Sequence, residues 1–298
     1  MLNQSENKVT IEGILSEVDI REGSYTKNGI MKEYLSAHPK VRVNQEIGGE
    51  MVEMEVTIDM FAPRLTNAGK PNPGYESIRK LRDECTSIAA AGGIQGADRI
   101  RFNNCEIREN AFMGRDQKIV SMPILSGSFF TKVKPEEFKP EASFTATIAI
   151  GSIADDIDSE GTPTGKLNIN GILIGYGGRA DVVKFIVTNE AAVNHIRTYW
   201  NNGDTVKVKG LVNFSAKTIE IKEEMGFGDP IISQRTTSVH DLIITGGSSS
   251  GFDADMAFDE TELAQALAQR KERLDALKTA QPKKAETPAK ADFSGLGF

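Results

Sequence analysis

Residues Gly203 to Glu224, GDTVKVKGLVNFSAKTIEIKEE, decide how the chain folds. Val206, Val208, Gly210, Val212 and Phe214 fall on one face, while Thr205, Lys207, Lys209 and Asn213 fall mostly on the other. That alternation has the period of a strand with one buried side. A Gly-Asp turn opens the stretch, and apolar residues at helical spacing over 190–200 precede it. Gly210 stands in mid-strand, where a missing side chain lets a strand bend sharply. Helix, turn, bent strand and second strand is an order suited to the last third of a small closed barrel.

Working back from this stretch, the second half of the chain supplies the rest of such a barrel. Strands are predicted over 144–153, 167–176 and 181–187, the last two flanking the turn Gly177-Gly178, and a final strand over 239–245. The first half has the same order. A strand over 9–19 breaks at Gly13; in 32–43, Lys32, Tyr34, Ser36, His38, Lys40 and Arg42 face one way and Leu35, Ala37, Val41 and Val43 the other. After the turn at Gly48-Gly49, Val52, Met54, Val56, Ile58 and Met60 form the apolar face of a third strand, opposite Glu53, Glu55, Asp59 and Phe61. The Pro- and Gly-rich loop 63–74 leads into a helix over 75–91, closed by Gly92-Gly93. Strands over 99–108 and 119–133 follow, joined by the loop 109–118. Strand, strand, strand, helix, strand, strand thus occurs twice, as a structural repeat without close sequence identity.

The expected fold class is mainly β: two OB-fold-like five-stranded barrels, each with a helix between strands 3 and 4. Residues 1–135 form the first, 141–245 the second. Beyond them GGSSSG marks 246–258 as a flexible linker. Asp259 and Glu262 offer a capping box for a helix over 259–279 with a narrow stripe of Leu263, Leu267, Leu274 and Leu277. A Lys-, Ala- and Pro-rich tail, 280–298, is expected to be disordered up to an apolar tip.

Composition excludes several function classes. The net charge is −7 and no run of about 20 apolar residues exists for a membrane helix. The start, MLNQSENKVT, is unlike a signal peptide, and two cysteines make no disulfide framework, so reducing cytoplasm is expected. Three scattered histidines leave no zinc-type cluster and no nucleophile-base pair, and no cofactor or enzymatic activity is indicated. Asp156, Asp158 and Glu160 imitate half of an EF-hand loop, but Leu167 stands where its bidentate Glu is needed. GYGG at 175–178 lacks the Lys-Ser/Thr of a phosphate loop and reads as a turn. Despite the acidic total, residues 61–134 hold twelve Lys and Arg against seven Asp and Glu.

In GDTVKVKGLVNF (203–214) and VHDLIITGG (239–247) the second half resembles the single-stranded-DNA-binding OB domains of bacterial and phage replication proteins. The resemblance implies non-enzymatic binding of single-stranded DNA in replication or recombination. Such proteins combine cations for the phosphates with aromatic faces for the bases. Candidates in the first half are Tyr25, Lys27, Lys32, Tyr34, Arg64, Phe112, Arg115 and Lys118; in the second, Tyr176, Arg179, Lys207, Lys209 and Phe227. The resemblance also implies a tail that recruits replication or recombination proteins, here through Phe293, Leu296 and Phe298, although those tips are richer in acidic residues than this one. Two other readings stay open. Lys32, Lys40 and Arg42 could simply neutralise Glu53, Glu55 and Asp59 across the sheet, and an OB-type adaptor, for instance a virion component, would bind protein instead.

Overall fold

The structure is a computed structural model that describes residues 4–158, 160–223, 231–253 and 255–279, with no side-chain account for 217–223 and 231–235. It is mainly β. The first half contains β1 (Asn7–Lys27), β2 (Ile30–Ile47), β3 (Glu50–Pro63), helices α1 (Pro73–Glu84) and α2 (Ile88–Ala91), then β4 (Arg99–Met113), β5 (Ile119–Ser126) and the short edge strand β6 (Thr131–Lys132). The second contains β7 (Glu141–Ile157), β8 (Pro163–Ile174), β9 (Ala180–Val187), α3 (Glu190–Tyr199), β10 (Thr205–Asn213), β11 (Ala216–Glu223), β12 (Ile231–Ser238) and β13 (Asp241–Gly247). Helix α4 (Glu260–Thr279) ends the described chain.

Each half closes on itself. In the first the pairing order is β1-β2-β3-β5-β4, with β4 returning to β1 and β3 parallel to β5; in the second it is β7-β8-β9-β13-β10, with β10 returning to β7 and β13 parallel to β9. Closure needs strands to bend, and glycines mark the bends. A Cβ at Gly210 would lie 1.9 Å from the Ile243 carbonyl oxygen, and one at Gly13 2.3 Å from that of Arg42. Inside the rings sit Phe102 and Phe185, both 0% exposed. Full burial of a side chain of this kind contributes about 1.5–3 kcal/mol.

The rings are joined rather than strung. Strand β1 pairs antiparallel with β7 from Asn7↔Ala146 to Glu12↔Glu141, so one sheet runs through both. Gln45 is buried at the seam: its Nε2 donates to the carbonyls of Ala142 (3.2 Å) and Val212 (3.1 Å), and its Oε1 accepts from the Ala142 amide (2.8 Å). Buried amides persist only when satisfied. Here the satisfied amide fixes the register of β2 against β7 and β10.

Helix α4 clamps the seam from outside. Leu263, Ala266 and Leu267 pack with Ile172, Ile174 and Ala180 of the second ring. Arg270 donates Nε to Glu109 Oε2 of β4 at 2.6 Å, and Arg273 donates to the Ala180 carbonyl at 2.7 Å.

Five expectations change. The helix over 75–91 breaks into α1 and α2 because Ser87 caps α2 by accepting from the Ala90 amide. Strand β4 runs on through Glu109 to Met113, so that the loop shrinks to a turn, and the strand over 119–133 is interrupted between Ser126 and Thr131. The second strand of the opening stretch leaves the ring: β11 pairs with β12 as a separate hairpin, and β13 closes the ring. In the stretch 246–258, read as a flexible linker, the described residues 246–253 and 255–258 are pinned along the second ring. Trp200 Nε1 and the Lys207 carbonyl hold Ser248, while Thr205 accepts from the amides of Phe252 and Phe258.

Candidate nucleic-acid interface

Strands β1, β2 and β3 extend into a three-stranded arm whose outer face starts the site. Asn28 and Gly29, both with positive φ, turn β1 back into β2. Register then places Tyr25 opposite Lys32, Gly23 opposite Tyr34 and Ser36 opposite Phe61. Three rings meet as a result. Their centroids are 5.0 Å apart for Tyr34–Phe61, 6.0 Å for Tyr25–Tyr34 and 6.3 Å for Tyr25–Phe61, the spacing of favourable tilted aromatic pairs. Phe61 is 57% exposed. Gly23 makes room for the cluster, since a Cβ there would lie 2.6 Å from Tyr34 Oη.

From these rings a groove of about 770 Å³ runs over the outer face of the first ring. Ser36, His38, Asp59 and Ser126 form its floor, Glu106, Arg108 and Asn110 of β4 one wall, and Arg179 of the second ring reaches its far end. A smaller hollow of about 290 Å³ shares Asp59 and Ile124 with it and continues to Phe214 and His240, whose rings lie 5.0 Å apart. Burial keeps His240 below its usual pKa, hence neutral at pH 7. A sheet face with open rings can stack bases; its polar floor and end arginine can meet a sugar-phosphate chain.

The face is close to neutral. Lys40 pairs with Glu17 at 2.5 Å, Arg42 approaches Glu53 at 4.0 Å, His38 approaches Asp59 at 3.6 Å, and Glu55 accepts from Ser16. Cross-strand neutralisation therefore holds for Arg42 against Glu53, whereas Lys40 finds its partner on β1. Lys32 instead reaches Asn67 at 3.4 Å.

The other expected residues are scattered. Arg64 is tied to Glu33 at 2.7 Å and lines, with Lys32, a separate hollow of about 540 Å³ beside Ile30, Met31 and Leu65. Lys27 stands at the end of the arm. Phe112 pairs across the strands with Val120, and Arg115 and Lys118 flank that turn, with Lys118 4.0 Å from Asp116; none of the three lines the groove. Tyr176 is 90% exposed in the turn before Arg179. Lys207 pairs with Glu6 at 2.7 Å, and the Lys209 side chain lies along Gly246. Phe227, Phe293, Leu296 and Phe298 lie outside the described residues. In the loop that imitates an EF-hand, Asp158 accepts from the amides of Glu160 and Thr162, and Asp156 accepts from Thr164 and Asn168, so these carboxylates build the turn.

Sequence reading passed over Phe61 and Arg108. Alternation placed Phe61 in a polar row beside Asp59, and a single ring there is no signal until register joins it to Tyr25 and Tyr34 as a patch. Arg108 gave none until β4 was seen to continue past it.

Burial also governs the thiols. It pushes Cys85 up to about 11 and Cys105 up to about 12, leaving both protonated near neutral pH. Among the described residues no helix is long and apolar enough to cross a membrane.

Comparison with known proteins gives a family match to YorF over residues 5–280. No curated protein sequence matches the chain. Among solved structures, the wild-type single-stranded DNA binding protein from Thermus aquaticus superposes with a TM-score of 0.47 at 11% identity, covering 86% of this chain and 98% of that one. A deletion mutant of the same Thermus aquaticus protein gives 0.45 at 8% identity, over 84% and 97%.

Proposed function

The chain belongs to the YorF family, and we propose that it is a non-enzymatic single-stranded-DNA-binding protein built from two OB-type barrels. The observation that carries this reading is the open cluster of Tyr25, Tyr34 and Phe61 at the mouth of the 770 Å³ groove. Each base stacked on such a ring is worth about 1–3 kcal/mol whatever its identity. The pairing order β1-β2-β3-β5-β4 with closure onto β1, repeated in the second half, supports the barrel assignment. A role in replication or recombination, in the cytoplasm of a cell or of a phage host, extends the proposal, with Phe293, Leu296 and Phe298 recruiting protein partners.

The test is a fluorescence titration with oligo-dT of about 30 nucleotides at two salt concentrations, beside a duplex of equal length. Single strands are expected to bind in preference to duplex, more weakly as salt rises. Absence of binding at micromolar protein in low salt refutes the proposal. One observation favours the adaptor reading instead: Ile30, Met31 and Leu65 are 63%, 72% and 49% exposed around one hollow at the arm's tip. Binding to protein with no oligo-dT binding would establish that alternative.

A further inference from the structure

The seam between the two rings carries more arginine than carboxylate. Asp181 of β9, whose side chain is 4% exposed, receives Arg179 Nε at 2.9 Å and lies 3.8 Å from Arg273 Nη2 of α4. Arg108 of β4 adds its charge to the same carboxylate. The neighbouring buried carboxylate, Glu109, is already held by Arg270. Other anions near the groove are Glu106, two residues from Arg108 on β4, and Asp59, which faces His38. Two guanidinium groups from separate elements thus contact Asp181, and a third, that of Arg108, acts on it from beyond ion-pair distance.

Arg273 is held below its usual pKa by burial and then by the like charge of Arg179. Yet the side chains of Arg179 and Arg273 remain 39% and 41% exposed, and Arg108 and Arg179 line the same groove as Tyr34 and Phe61. A guanidinium is planar, always charged and suited to forked hydrogen bonds with phosphate oxygens.

We propose that Arg108, Arg179 and Arg273 form a phosphodiester site at which a bound single strand crosses from the first ring to the second. The assignment rests on reading the groove as a nucleic-acid interface. It makes the C-terminal helix part of that interface, because Arg273 reaches the seam from α4 and is oriented there by the Ala180 carbonyl.

The experiment uses the full chain and its variants Arg108→Ala, Arg273→Ala and Arg108→Lys, titrated with oligo-dT of about 6 and about 30 nucleotides, the short one within the span of a single barrel. Inorganic phosphate serves as competitor. Each alanine variant is expected to weaken the long oligonucleotide about fivefold near 0.1 M salt and to reduce the slope of log affinity against log salt by about 0.7. The short oligonucleotide, held by the aromatic cluster, is expected to change less than about twofold. Arg108→Lys should keep most of the salt slope, since the charge remains. Among the described residues Arg108 makes no ion pair within 4.0 Å, so its variant keeps the test sound if Arg273→Ala loosens α4.

Unchanged affinity and slope for the long oligonucleotide in both alanine variants overturns the site. Equal weakening of the short and long oligonucleotides overturns its place at the crossing. Competition by phosphate at matched ionic strength, without any effect of the variants on oligo-dT, assigns the arginines to a free anion and also overturns it. If the unaltered protein binds neither oligonucleotide, the nucleic-acid reading itself fails, and the site with it.

Discussion

Replacing Arg270 by Ala should destabilise the protein by about 3 kcal/mol, because it strands a buried charge. The Glu109 side chain is 3% exposed, with Arg270 bound to both of its oxygens. Removing one partner of a buried pair costs about 3–5 kcal/mol, most of it the desolvation of the group left behind. The lower end applies here, since Arg270 is itself 20% exposed and Ser121 Oγ still donates to Glu109 at 2.6 Å. Glu109→Gln in the Arg270→Ala background removes the stranded charge while preserving shape, so the double variant should recover about 2 kcal/mol of the loss. Urea titrations of all four proteins, followed by far-UV circular dichroism and by the fluorescence of Trp200, give the full cycle. The fluorescence reports on the second ring, where Trp200 is 5% exposed and bonded to the Ser248 carbonyl. A coupling below about 0.5 kcal/mol would show that α4 is not held through this pair, since changes of that size are ordinary for surface sites.

Two further outcomes are expected. Gly23→Ala should push the Tyr34 ring out of the cluster, since its new Cβ would meet Tyr34 Oη at 2.6 Å. Single-strand affinity should fall by up to the worth of one stacked base, about 1–3 kcal/mol, with a changed near-ultraviolet tyrosine signal; equal affinity would remove Tyr34 from the site. Acidification should narrow the stability difference between the unaltered protein and Glu109→Gln. Burial pushes the Glu109 carboxyl up, but the hydrogen bonds and charge of Arg270 and the Ser121 hydroxyl outweigh it, leaving the pKa lowered from 4.5. The folded state therefore binds fewer protons than the unfolded one near that pH. Stability from this group is present above about 4.5 and lost as pH falls through the lower folded value. Asp181 runs the other way, burial having raised it above 3.8, so the comparison needs the Glu109 variant and not the bulk pH profile. A difference that stays constant from neutral pH to pH 3 contradicts this assignment.

Alternation was readable wherever one face of a strand is buried. Leu35, Ala37, Val41 and Val43 are all buried, and so are Val206, Val208 and Val212 of the opening stretch. The outer end of β1 and the first two residues of β2 were not readable, because there both faces of the arm are solvated and no alternation is imposed. Only Asn28-Gly29 marks its turn, the pair of residues that tolerates two successive positive φ angles. The GGSSSG composition misled for a different reason. Backbone carbonyls and amides of that segment are fixed by Trp200 and Lys207, and no side-chain pattern in the segment records such bonds. Tyr25, Tyr34 and Phe61 were each visible in the sequence, but their meeting depends on the cross-strand register of three strands.

The cationic excess of residues 61–134 looks like an electrostatic footprint along the chain, yet Arg64, Arg82 and Arg101 pair with Glu33, Glu22 and Glu12, all outside that window. Lys132 is bound to Asp98 inside it. The exposed pairs among these add little stability, and only Glu12, paired with Arg101, is buried, but all of them cancel the field that a strand of phosphates would feel. What faces the groove is aromatic surface, a polar floor and wall that include Asp59, Glu106 and Glu109, and Arg108 and Arg179 at the seam. On the proposed reading, an acidic chain holds a polyanion because stacking acts at contact and needs no net charge, while the few cations that matter stand where the strand must change rings. The same arrangement explains why neither the total charge nor a windowed sum could locate the interface: both count charges that the fold has already neutralised.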